Sequence, residues 1–527
     1  SICDTLKKWS KNIKNAYTGI TGNLRQQVLK EVMKLEGVEK VKLLVLPDDK
    51  RIKKLQKEYK GKTVNWEVVL GNIGDKAICK KLVEDVDYVV NLAAVIPPHS
   101  DKFPRKAVEC NEIGVDNLVS VIEAQKKQPK LIHFSTVALY GNRNSKHIYG
   151  RIGDPLLVSP FDIYSATKLR GEFRVLESKI EKWAVLRETA VLHKNMLSDN
   201  MSDGLMFHTC FNASLEWVTA HDSGVLVANI LKQDMQADLG DKFWRKCFNI
   251  GGGERNRLTG YDTLNDGFKI IGGSCKDFFK PYYNSLRNFH GVWFYDSDVL
   301  DKMFNYQKQD TREYWKEVKK SHKVFQAGRV VPKYIIRKFV IDKLRKDANA
   351  PKYWFEHKDT ARLTAYFGSV GRYLAMPKKW KDFPLLIENK DEEGNAIDYA
   401  KLHNIKNAKL IDYGFDIEKD NVTLKDLQNV AKMHGGELIS KKYDGDLYKK
   451  LEWKTQDGET FSANAYTILY CGHFYNPTYK KNVWDFDRLS KKDKIYAQIW
   501  YDSHDEKENH FYYFDDEFNA HMKTEGK

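Results

Sequence analysis

The feature that most constrains this chain is an alternation of short, continuously apolar runs with amphipathic stretches over its first half. The runs VKLLVL (41–46), NWEVVLG (65–71), VDYVVNLAA (86–94), PKLIHFST (129–136) and WAVLRET (183–189) are β-rich and too short for buried helices. Between them, GVDNLVSVIEAQKK (114–127) and ATKLRGEFRVLESKI (166–180) carry helical patterns. A strand that is apolar throughout suits a sheet covered on both faces. Strands alternating with helices predict a parallel sheet of the α/β class.

The length, 527 residues, suggests roughly three domains. With 42% hydrophobic residues the chain can bury a core, which argues against global disorder. No apolar run is long enough to span a bilayer, so no membrane partner is expected. The opening SICDTLKKWSKNIKNAY has no apolar core of a secretory signal. Seven scattered cysteines without a CxxC pair fit reduced thiols and a cytoplasmic location. The net charge of +15 suggests affinity for anions: a phosphorylated small molecule, nucleic acid or acidic lipid. Much of the surplus lies in 314–346, where Lys and Arg interleave with aromatics. A solvated helix face is the simpler reading there.

Texture divides the chain into 1–305, a basic helical connecting region 306–400, and a small α+β module 401–527. The break inside the connecting region is PKKWKDFPLLIENKDEEGN (377–395), which combines Pro, Gly and a charge run.

Four motifs stand in order along the β/α series. YTGITGNL places Gly19 and Gly22 between a strand and a helix, where glycine allows a tight turn and close approach to a pyrophosphate. NLAA (91–94) ends a strand with small residues. FSTVALYG (134–141) puts Ser135 and Thr136 at the carboxyl end of a later strand. YSATK places Tyr164 and Lys168 four apart, on one helical face. An ammonium beside a phenol lowers its pKa, and a phenol so tuned can exchange a proton with a hydroxyl.

The ordered set resembles the extended short-chain dehydrogenase/reductase superfamily, the NAD-dependent epimerase/dehydratase-like branch, over about residues 12–305. RIGDPLLVSPFDIYSATK (151–168) and FNIGGGE (248–254) are similar to that family too. The resemblance implies a Rossmann-like doubly wound parallel sheet with a smaller substrate-binding part. It implies Tyr164 as acid/base, Lys168 on the nicotinamide ribose, and Thr136 holding the reacting oxygen. It places Gly19, Gly22, Asn23 and Leu24 at the pyrophosphate, Asn72 at the adenine, Leu92, Ala93 and Ala94 along the cofactor, and Asn111 near the active site.

Two departures bear on the cofactor. Arg25 replaces the third glycine, where it would crowd the cofactor or contact a phosphate. Strand two ends VLPDDKR, with no acid directly at its end. Arg51 could hold a 2′-phosphate, which inclines the reading to NADP, with NAD the alternative. Val137 and Ala138 follow Thr136 where dehydratases of the family commonly carry Asp-Glu, so epimerase or alcohol/carbonyl oxidoreductase chemistry is the expectation, possible on a nucleotide-sugar substrate.

The tail segment 451–504 resembles treble-clef zinc ribbons that have lost their ligands: Thr455, Glu459, Tyr475 and Thr478 stand near the ligand positions. No metal is expected, and Trp453, Phe461, Trp484 and Trp500 are the predicted core of a separate module. The dehydrogenase/reductase resemblance implies a small-molecule substrate and pairing with a second copy of the chain, often through a helix pair that here would include 166–180. The alternative function is a non-catalytic binding protein on a dehydrogenase scaffold, recognising a protein partner or a polyanion such as nucleic acid.

Overall fold

The apolar runs form the expected sheet. The computed structural model describes residues 12–22, 25–61, 65–386, 398–477 and 484–512. The strands are β1 (Ile13–Thr18), β2 (Val38–Val45), β3 (Asn65–Leu70), β4 (Tyr88–Asn91), β5 (Lys130–Thr136), β6 (Trp183–Glu188) and β7 (Lys246–Ile250). All pair in parallel, in the order β7-β6-β5-β4-β1-β2-β3. The winding reverses between β1 and β4, which opens a crevice at the carboxyl ends of the strands, where open α/β sheets bind ligands.

Helices cover both faces. On one side α1 (Gln26–Val32) and a long helix, Ala220–Gln236, bury Val28, Leu29, Leu226 and Leu231 against the sheet. On the other lie α2 (Gly114–Glu123) and α3 (Ile163–Leu176). Val115, Leu118, Val119 and Ile122 recur on one face of α2 and are fully buried. α3 starts three residues before the predicted 166, because the Asp162 carboxylate caps it, accepting from Ser165 N at 3.0 Å.

Gly171 lets α3 approach its neighbour. A Cβ there would lie 2.3 Å from the Asn111 carbonyl oxygen. Gly171→Ala is therefore expected to cost about 1–3 kcal/mol by forcing the helices apart, measured by urea unfolding.

The C-terminal part differs from the expected separate module. Its antiparallel strands Glu437–Leu438, Lys450–Lys454 and Thr460–Asn464 set Trp453 opposite Phe461. Trp453, Phe461, Trp484 and Trp500 are buried, as the sequence suggests. This core is continuous with the one around Ile163 and Phe173 of α3. Asn464 Nδ2 donates to the Leu176 carbonyl at 3.1 Å, and Thr467 Oγ1 donates to Glu177 at 2.5 Å. Cys247 N on β7 donates to the Tyr466 hydroxyl at 2.8 Å. The physical reason is α3 itself. Ala166, Leu169, Phe173, Val175 and Leu176 spread around its circumference, and such a helix needs cover on every side. Tyr164 and Arg174 of α3 are half-buried, and its other residues are buried.

The connecting region is likewise packed. Thr360–Phe367 and Pro351–Glu356 bury Trp354, Tyr366 and Phe367 in the same core as Phe207 and Tyr283. The basic stretch is helical as predicted, in α4 (Thr311–Ser321), α5 (Lys323–Gln326) and α6 (Lys333–Ile336), which continues into a π-helical turn, Arg337–Ile341. Among the described residues no helix is long and apolar enough to cross a membrane. The described cysteines, Cys79, Cys110, Cys210, Cys247, Cys275 and Cys471, are free thiols.

Candidate active site

The crevice is built first by a close contact between two strand ends. Gly19 has φ +66°, and a Cβ on it would lie 2.6 Å from the Ala93 backbone. Thr18 Oγ1 accepts from the N–H groups of Leu92 and Ala93, at 3.1 Å each, and donates to Asn91 Oδ1 at 2.6 Å. Ala93 and Ala94 are half-buried along the opening, and Leu92 is buried beneath it. A Cβ on Gly22 would meet nothing nearer than 3.8 Å. Asn23 and Leu24 lie outside the described residues.

Asn111 fixes the next loop. Its side chain accepts from Val95 N at 2.8 Å and donates to Val95 O and Thr167 Oγ1 at 3.0 Å each. It sits in a π-helical turn, Glu109–Ile113, of the kind that often marks functional sites. Asn72 turns to Glu109 (3.1 Å) and takes the Gly74 N–H at 2.9 Å.

Past the end of β2, Asp49 reaches back to the glycine turn and accepts from Thr21 Oγ1 at 2.6 Å. Arg51 grips the same carboxylate with two hydrogen bonds of 2.8 Å, and its charge and hydrogen bonds hold Asp49 down to about 2. The acid missing directly at the strand end is thus supplied four residues on. The cation proposed for a 2′-phosphate is already paired.

Tyr164, Thr136 and Lys168 come together at the carboxyl edge of β5. The Thr136 hydroxyl lies beside the phenol and accepts from Ala138 N at 3.1 Å. Burial pushes the Tyr164 phenol up to about 12, against the pull of Thr136 and the charge of Arg25. Lys168 Nζ donates to the Phe134 carbonyl at 2.6 Å, and burial pushes it down to about 8. The lowered phenol expected from the Tyr-Lys spacing is therefore not the state seen. Loss of water outweighs the neighbouring charge, and the lysine is engaged by backbone.

Arg25 crosses the crevice. Its Nη1 meets Glu188 Oε2 at the end of β6 at 2.8 Å, and its guanidinium lies 5.1 Å from the Phe134 ring centroid. The other Glu188 oxygen accepts from Ser223 Oγ at 2.7 Å. Arg25 is thus held at the edge shared by β5 and β6.

Sequence reasoning missed the support beneath the site. Ser135 points away from Thr136, as successive strand residues must, and donates to Glu172 of α3. Glu172 also accepts from Arg187 (Nη2 at 2.5 Å) and contacts His473 Nε2 at 2.9 Å. Arg187 donates further to the Tyr140 hydroxyl at 2.9 Å and to the Cys471 carbonyl at 2.7 Å. All of these side chains are buried. The available signal was a charge inside an apolar strand, Arg187 in WAVLRET, facing an acid four residues beyond Lys168.

Sheet order and crevice together define a Rossmann-type α/β domain. Residues 18–182 match the model of the NAD dependent epimerase/dehydratase family. None of the curated proteins matches the chain. Solved structures similar to it include a UDP-glucuronic acid 4-epimerase from Bacillus cereus in complex with UDP-glucuronic acid and NAD. It is 19% identical, with a TM-score of 0.46, over 60% of this chain and 99% of that one. A dTDP-glucose 4,6-dehydratase from Streptomyces venezuelae, with NAD and TYD bound, is 16% identical, with a TM-score of 0.48, over 59% of this chain and 97% of that one.

Proposed function

We propose that the protein is an NAD-dependent oxidoreductase or epimerase acting at a hydroxyl or carbonyl carbon of a small polar substrate of the nucleotide-sugar kind. The observation that carries this is Tyr164 beside Thr136, with Lys168 one helical turn along and donating to Phe134 O, at the carboxyl edge of the sheet. The residues present fit a dinucleotide. Gly19 admits close backbone approach, Ala93 and Ala94 leave room along β4, and Asp49 lies between β2 and the glycine turn, where an adenosine ribose diol needs an acceptor. Asn23 and Leu24 complete the pyrophosphate turn in this reading, and Asn111 holds its far wall.

When bound, NAD supplies the hydride acceptor or donor. Tyr164 gives a proton to a substrate carbonyl oxygen, or takes one from a hydroxyl, and Thr136 orients that oxygen. A phenol held near 12 is protonated at neutral pH, so the resting site is set as a proton donor. Lys168 holds the strand end through Phe134 O and contributes its charge below about 8. Val137 and Ala138, both buried, offer no acid/base pair for elimination, which leaves epimerisation or simple oxidoreduction. The C-terminal part is read as a ribbon-like unit that closes its turn without metal: Thr455 Oγ1 accepts from the N–H groups of Asp457 and Glu459.

NAD is the favoured cofactor over NADP, because Arg51 is bound to Asp49. Asp49→Ala should weaken NAD binding by about 10–100-fold, the value of a hydrogen bond to a charged group, and narrow the preference over NADP in the same titration. The function itself is tested by calorimetric titration with NAD of wild type and Tyr164→Phe: both should bind, and binding by neither at millimolar NAD defeats the reading.

Arg25 favours a second reading, a scaffold without catalysis, because its guanidinium lies across the β5–β6 edge. If Arg25→Gly gained NAD binding that wild type lacks, the scaffold reading would replace the first.

A further inference from the structure

The basic stretch after residue 310 presents an unusual surface. Residues 316–346 hold eleven Lys and Arg against Glu317 and Asp342, a surplus of +9 within a chain whose total is +15. The same stretch exposes Val324 (75%), Val330 (86%), Tyr334 (62%) and Phe339 (64%), the four most exposed large apolar side chains among the described residues.

Ile336 and Ile341 turn inward to the main core, and Phe325 packs beside Ile270. The inner face of the stretch rests on the helices Gly260–Ile271 and Cys275–Phe278. Val324, Val330, Tyr334 and Phe339 are left in solvent, away from these inward contacts.

The cations divide by type. All three arginines are engaged within the protein: Arg329 with the Lys269 carbonyl, Arg337 with the Asp277 carbonyl, and Arg345 with Asp342 and the Tyr283 ring. Lys316, Lys319, Lys320, Lys323 and Lys346 are exposed, and none of them takes part in an ion pair among the described residues. What remains outward is chiefly lysine point charges among aliphatic and aromatic tips, while each arginine also holds a contact inside the protein.

We propose that this face binds the surface of a bilayer containing acidic lipid. The lysines meet the headgroup charge, and Val324, Val330, Tyr334 and Phe339 enter the boundary between headgroups and acyl chains. Nucleic acid is the poorer fit, because exposed valines gain little from stacked bases, whereas they gain from an acyl boundary. This is attachment to a surface and needs no spanning helix. It stands independently of the catalytic reading.

The test is co-sedimentation of the full chain with phosphatidylcholine vesicles, with and without phosphatidylserine, at low and high salt. Wild type should sediment with the phosphatidylserine vesicles at low salt and stay in solution with the neutral ones. Lys319→Glu with Lys320→Glu should lower the partition about tenfold or more. Val330→Asp with Phe339→Asp should do the same, with an unchanged circular dichroism spectrum and thermal melt, since both side chains are exposed. Absence of wild-type binding to acidic vesicles overturns the proposal. So does binding that ignores the Val330/Phe339 change, which would be adsorption by charge alone, and so does binding to single-stranded DNA without binding to vesicles.

Discussion

Tyr164→Phe is expected to lower turnover by about 10²–10⁴-fold, the usual contribution of a positioned acid/base group. Its effect on NAD affinity should stay within a few-fold, and the fold should survive. The hydroxyl has Thr136 beside it, and losing even one neutral hydrogen bond there would cost only about 0.5–1.5 kcal/mol. Steady-state kinetics and calorimetry on the same preparation separate these two readouts. The pH profile adds a check. Tyr164, pushed up to about 12, stays protonated through the working range, so the reductive direction should be level near neutrality. It should then decline as Lys168, pushed down to about 8, loses its charge. A limb near 8 that survives Lys168→Met would assign it to another group.

Glu172→Ala should have the largest effect on stability, about 3–5 kcal/mol in equilibrium unfolding, because it leaves Arg187 charged and uncompensated in a site closed to water. Arg187 keeps the Tyr140 hydroxyl and the Ile152 and Cys471 carbonyls, which stabilise the guanidinium but do not neutralise it. Burial works against the Glu172 carboxylate, yet the charge of Arg187 and the hydrogen bond with His473 hold it well below the usual range. The folded value is thus the depressed one. Its contribution is fully present above the unfolded value of about 4.3 and is lost as pH falls from there toward the folded value. Wild type should lose stability steeply in that acid window, and Glu172→Ala should lose less. Because Glu172 joins α3 to His473, the variant should also expose residues 464–475 to hydrogen exchange.

The sheet was legible because its strands are buried on both faces and so are apolar without interruption: PKLIHFST marks β5 to within a residue, and WAVLRET marks β6. VDYVVNLAA overran, since only Tyr88–Asn91 is strand. The two alanines leave the sheet to border the crevice. The order of TG, NLAA, ST and YSATK was legible for the same reason, each motif following a strand that could be counted. The state of the site was not. The rise of the Tyr164 phenol follows from how much water the folded chain removes, and the tie from Lys168 to the Phe134 carbonyl depends on where α3 lies against β5. Nor was the docking of the tail, because Arg187 and Cys471 are 284 residues apart and leave no local period. Asp49 shows a smaller version. Three residues of loop separate it from β2, and only its bond to Thr21 shows that it returns to the glycine turn.

The central claim is that Thr136, Tyr164 and Lys168 face a bound nicotinamide. A crystal structure of the NAD complex tests it most directly. The nicotinamide ring should lie within reach of the Tyr164 hydroxyl, with the adenosine ribose at Asp49. A ring bound elsewhere, or Arg25 still spanning to Glu188 with the crevice empty at saturating NAD, would contradict it.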